Sequence, residues 1–133
     1  MNKLLLIVVL LLVVAAAAWG FSKNGGDGFT TVDANEFESL IEDYNNIQLL
    51  DVRTQDEYDA GHIPGAMLID VKDSTFLTQA TSQLTKDKTV AVYCRSGRRS
   101  ADAASKLVKV GYRVVNLDGG ILSWQQHGKR IMQ

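Results

Sequence analysis

The chemistry available to this sequence centres on one thiol. Cys94 is the chain's only cysteine, and Arg95-Ser96-Gly97-Arg98-Arg99-Ser100 follow it directly. Just ahead lies Thr89–Tyr93 (TVAVY), and just behind an amphipathic run. A short loop curling into a helix N-terminus turns several backbone N–H groups towards one point, and the helix dipole adds partial positive charge there. Gly97 permits the tight curl. A thiol at the base of such a cradle is acidified towards thiolate at neutral pH. The same donors can then bind an oxyanion delivered to the sulfur. Arg95, Arg98 and Arg99 raise the local positive potential, and at least one can pair an anion bidentately. The plainer alternative is a buried thiol beside a solvated basic turn, a common fate for free cysteine. It leaves the crowded arginines unexplained, because like charges repel unless an anion is present.

The surrounding pattern supplies the elements that must hold this loop. Phe29–Val32 is a short strand candidate, and Asp33 followed by Glu36 signals a helix start. Phe37, Leu40 and Ile41 give that helix one apolar face. Ile47–Val52 is a second strand, and Thr54 with Glu57 repeats the helix-start signature over a short helix ending near Ala60-Gly61. Pro64-Gly65 marks a turn, Ala66–Ile69 a third strand, and Thr75–Leu84 a helix. Thr89–Tyr93 is apolar on both faces and β-branched, as expected of a central strand. Ser100–Val110 is a helix with Ala103, Ala104, Leu107 and Val108 inward, ended by Gly111. Arg113–Leu117 is a fifth strand, Gly119-Gly120 a turn, and Ile121–Gln126 a closing helix. Strands separated by helices imply crossover connections and a mainly parallel sheet with helices on both faces. Ligands bind outside the carboxyl ends of strands in such sheets, which is where Cys94 falls.

Composition bounds the rest. At 133 residues the chain holds one domain and a short extra segment. Lys and Arg number 14 against 15 Asp and Glu, a near-neutral balance that argues against nucleic acid as the main partner. One lysine precedes Leu4–Ala18, a run without a polar residue that ends in alanines. Residues 1–21 are therefore expected to be a secretory signal or an uncleaved membrane anchor, followed by a polar linker at 22–28 and the domain at 29–133. Either reading places the domain outside the cytoplasm, periplasmic or otherwise exported, with membrane attachment through this segment as one form. A single cysteine cannot form an internal disulfide, so a free thiol in an oxidising compartment gives weight to chemistry or to an intermolecular bond.

Taken together, YCRSGRRS at 93–100, LLDVRTQDEYDAGHIPGA at 49–66 and GYRVVNLDGGILSW at 111–124 resemble a single-domain rhodanese. The resemblance covers about residues 29–128. It implies a five-stranded parallel sheet with the catalytic strand in the middle, and it makes Cys94 the residue that takes up sulfane sulfur. Arg95, Ser96, Gly97, Arg98 and Arg99 correspond to the rest of a six-residue active-site loop whose amides surround the transferred sulfur. Asp51 and Arg53 correspond to a pair that holds the first motif together, joined by Glu57. His62 falls in a structural turn, His127 on the surface and Trp124 in the core.

The implied reaction is double displacement, with a small anionic donor such as thiosulfate and an external thiol or cyanide as acceptor. Neither metal nor organic cofactor is required. Cysteine-dependent phosphatases share the logic of thiolate, amides and arginine, but space the two residues as Cys-x5-Arg. Here four residues separate Cys94 from Arg99. The related phosphatases and arsenate reductases of the same fold surround a tetrahedral oxyanion with a loop one residue longer. A rival from another class is a domain that only docks a partner or senses sulfur.

Overall fold

The computed structural model describes residues 28–133. The signal or anchor expected at 1–21 lies outside them, as does the linker up to residue 27. In chain order the elements are β1 (Thr30–Val32), α1 (Ala34–Ile41), β2 (Ile47–Asp51), α2 (Gln55–Ala60) and β3 (Met67–Leu68). They continue as α3 (Phe76–Gln83), β4 (Thr89–Tyr93), α4 (Arg98–Lys109), β5 (Val114–Leu117) and α5 (Gly120–Gln126). The five strands form one sheet in the order β1-β5-β4-β2-β3, and every pairing is parallel. β4 is third of five, paired with β2 along its whole length.

The local signals are realised where they were expected. Asp33 caps α1 by accepting from the Glu36 N–H at 2.9 Å, and Thr54 and Glu57 form a reciprocal capping box on α2. Two differences have simple causes. β3 is shorter than Ala66–Ile69, although Ile69 still donates to the Asp51 carbonyl at 3.0 Å. It is an edge strand leaving a Pro-Gly turn, with a neighbour on one side only. Helix α4 begins at Arg98 rather than Ser100. Gly97, at φ +107°, reverses the chain in a single residue, so Arg98 and Arg99 enter the first helical turn.

Alternation along β4 splits the core. Val90, Val92 and Cys94 face Ala103, Ala104 and Leu107 of α4 and Phe76 and Ala80 of α3. Ala91 and Tyr93 face Phe37 of α1 and Ile121 and Trp124 of α5. The sheet is thus covered on both sides, and β4 is buried by both. None of the helices among the described residues is long and apolar enough to cross a membrane.

Candidate active site

Cys94 follows the last residue of the central strand, where chain direction and pleat together aim its side chain at the N-terminus of α4. The residue is 1% exposed. Helix α4 has no side-chain cap and no acidic residue in its first turn, so its leading N–H groups need another acceptor. The sulfur supplies one: the Gly97 N–H donates to Cys94 Sγ at 3.1 Å. Burial pushes the thiol up, but hydrogen bonds prevail. The Ser100 hydroxyl and the N–H groups of Ser100, Gly97 and Ser96 hold it below its ordinary value of 9.0. Ser100 is fully buried and its hydroxyl also lies 3.2 Å from the Gly97 carbonyl oxygen. It can turn its single proton towards a thiolate.

The loop is clamped from behind by α5. The N–H groups of Ile121 and Leu122 donate to the carbonyl oxygens of Cys94 and Arg95, at 2.9 and 3.2 Å. With the Cys94 and Arg95 carbonyls tied to α5, the loop presents N–H groups to the sulfur. The approach is so close that a Cβ on Gly120 would lie 2.5 Å from Cys94 and Arg95 backbone atoms. The double glycine, expected only to turn the chain, is therefore part of the site's support.

Of the residues expected to surround a substrate, Arg95, Ser96 and Arg98 are exposed and Gly97 is half-buried. Arg99 differs. Its two terminal nitrogens bind the two carboxylate oxygens of Glu57, at 2.7 and 2.8 Å. This corrects the expectation that Glu57 joins Asp51 and Arg53. Asp51 is fully buried and holds Arg53 through Nε and Nη2, and Arg53 also donates to the Gly61 carbonyl at 2.7 Å. Arg53 makes no hydrogen bond to Glu57, whose charge acts on it only through space. The capping box fixes Glu57 at the start of α2, on the side that faces the loop. Arg99 holds the Glu57 carboxyl down to about 2, against the opposing effect of burial. The partnership spans 42 residues, so no local spacing announces it.

The remaining candidates take structural places. His62 Nδ1 lies 2.9 Å from the Tyr58 carbonyl oxygen, and its ring stacks on Tyr58 at 3.7 Å. Its backbone pairs with Met132. His127 is exposed, and Trp124 is buried with Nε1 donating to the Arg130 carbonyl. Among the described residues no group of three or more His, Cys, Asp or Glu could hold a metal ion.

Two clefts flank the loop. One, of about 250 Å³, is lined by Arg53, Glu57, Arg95, Ile121 and Leu122 among others. The other, of about 570 Å³, includes Val71, Phe76, Leu77, Arg98, Arg99 and Lys106. The Arg99–Glu57 pair stands between them.

The fold is thus a parallel α/β sheet that carries a buried thiol in an amide cradle at the end of its central strand. The rhodanese-like domain model matches residues 33–127, and the chain belongs to that family. It is 36% identical over 102 residues to a sulfurtransferase of Allochromatium vinosum, covering 76% of this chain and 92% of that one. It is 37% identical over 109 residues to thiosulfate sulfurtransferase 18 of Arabidopsis thaliana, covering 73% and 79%. Among solved structures it resembles a rhodanese-related protein of Thermoplasma volcanium, with 32% identity and a TM-score of 0.66 over 78% of this chain and 98% of that chain. The family and these relatives support a role in sulfur transfer.

Proposed function

We propose that the protein is a sulfurtransferase in which Cys94 carries the sulfur as a persulfide. In the first half-reaction the Cys94 thiolate attacks the outer sulfur of a donor such as thiosulfate. A new S–S bond forms to Cys94, the donor's S–S bond breaks, and sulfite departs with the bonding pair. In the second half-reaction an external thiol or cyanide takes the outer sulfur and the thiolate is regenerated. The chain has no second cysteine to resolve the persulfide, so the acceptor comes from outside.

The observation that carries this reading is the convergence of Gly97, Ser96 and Ser100 donors on the Cys94 sulfur, which lowers its pKa despite burial. Fixed dipoles aimed at a site of changing charge need no reorganisation as the reaction proceeds. They serve the thiolate first and the anionic terminal sulfur of the persulfide afterwards. The relatives named as sulfurtransferases point the same way. The apolar run at Leu4–Ala18 supports placing the activity outside the cytoplasm.

Replacing Cys94 with Ser tests the nucleophile. Serine is close in volume, but its hydroxyl is too weakly acidic to act unaided. The variant is expected to fold and to lose transfer from thiosulfate to cyanide. Retention of most of the activity would remove Cys94 from the reaction.

A further inference from the structure

Three arginines stand in or beside the Cys94 loop, yet they are not equivalent. Arg99 has committed both terminal nitrogens to Glu57, whereas Arg95 and Arg98 are exposed. A bidentate Arg–carboxylate pair presents nearly no net charge to a third group, and breaking it to seat an anion forfeits two short charge-assisted bonds. Glu57 also lines the same cleft as Arg95. An anion entering there meets Arg95, Arg53 already paired with Asp51, and the Glu57 carboxylate. Because Arg99 keeps Glu57 ionised down to about pH 2, this opposition persists throughout the working range.

We infer that Glu57 is a specificity-determining residue that disfavours dianionic sulfur donors relative to monoanionic ones by neutralising Arg99 beside the Cys94 loop. This deepens the sulfurtransferase reading and rests on it. The ion pair behaves as a balanced unit. Deleting its negative half raises the potential at the sulfur, and deleting its positive half lowers it. A donor of charge −2 feels either change twice as strongly as one of charge −1. The chemistry is the same for both classes. Thiosulfate loses sulfite, an aryl thiosulfonate loses aryl sulfinate, and each leaves one sulfur on Cys94.

The pair of donors to compare is thiosulfate and benzenethiosulfonate, with cyanide as acceptor. Glu57→Gln isolates the charge, since Gln serves a capping box as Glu does and Thr54 keeps its partner. It should raise kcat/KM for thiosulfate roughly three- to tenfold, chiefly through KM, and raise that for benzenethiosulfonate by about the square root of the factor. Arg99→Ala should shift both donors in the opposite direction, again more for thiosulfate. The double variant should return the ratio between donors close to that of the wild type. Glu57→Asp, which keeps the charge but shortens the reach, should retain the wild-type donor preference. If Glu57→Gln does not fold, the sign and donor dependence of Arg99→Ala still decide the matter. Equal losses for both donors in Glu57→Gln and Arg99→Ala, repeated in the double variant, would make the pair a structural brace and overturn the inference. A wild-type protein that takes no sulfur from either donor would instead overturn the sulfurtransferase reading itself.

Discussion

Gly120 opens α5 with φ +58°, and a methyl group added there would lie 2.5 Å from the Cys94 carbonyl oxygen and from the Arg95 carbonyl carbon and oxygen. Backbone atoms cannot swing aside as a side-chain end can. Gly120→Ala must therefore push α5 away from the loop or push the loop towards α4, breaking the Ile121–Cys94 and Leu122–Arg95 hydrogen bonds. Gly128 is the matched control, because it has φ +68° and nothing within 4 Å of an added Cβ. Both substitutions carry left-handed backbone strain of about 1–2 kcal/mol. Only Gly120→Ala adds overpacking, a further 1–3 kcal/mol or so. In a domain of this size each kcal/mol lowers Tm by roughly 4 °C. Urea unfolding measures the two losses, and iodoacetamide labelling of Cys94 reports whether the thiolate environment survives. Gly120→Ala should be the less stable and should label with an altered pH profile, while Gly128→Ala labels like the wild type. Equal midpoints for the two variants would refute the claim that α5 supports the loop by direct backbone contact.

The pH dependence of Cys94 labelling in the wild type should have its midpoint below 9.0, and Ser100→Ala should move it upward. An unmoved midpoint would take the Ser100 hydroxyl out of the thiolate's support. The Glu57 carboxyl, at about 2 in the folded chain against an ordinary 4.5, stabilises the fold above pH 4.5, and that contribution is lost as pH falls towards 2. The Tm difference between wild type and Glu57→Gln should accordingly narrow over that window; a constant difference would mean that the pair does not titrate with folding. Truncating Phe37, fully buried and edge-on to Trp124 at 6.2 Å, to Ala should cost about 3–5 kcal/mol in urea unfolding. Aryl phosphates should be hydrolysed negligibly, since four residues separate Cys94 from Arg99, one fewer than the phosphatase spacing. Hydrolysis faster than persulfide formation would reverse the assignment.

What the sequence revealed and what it concealed divide along a physical line. Caps at Asp33 and Thr54, the apolar run of β4 and the glycine at position 97 act through neighbours a few residues away, so their patterns specify them. Cys94 was legible because strand, thiol, glycine and helix are contiguous. Strand order was not readable from periodicity alone, because a parallel sheet joins strands through crossovers of similar length. Two features of the site depend on long-range placement, and a third on a local curl. The partner of Glu57 is 42 residues away, and the double glycine meets the loop only after β5 has paired with β4. Ser100 looks like an ordinary first-turn serine until the curl at Gly97 turns its hydroxyl inward. The capping box did hold a signal for Glu57, since it fixes where that carboxylate stands, but not which of four nearby arginines would take it.

Mass spectrometry of the purified protein after incubation with thiosulfate, followed by peptide mapping, bears most directly on the central claim. A gain of roughly 32 Da, one sulfur, is expected on the peptide containing Cys94. It should be removed by cyanide with release of thiocyanate and be absent from Cys94→Ser. An unchanged mass after exposure to thiosulfate and to benzenethiosulfonate, or a gain that cyanide does not discharge, would contradict a persulfide on Cys94 as the carrier of the activity.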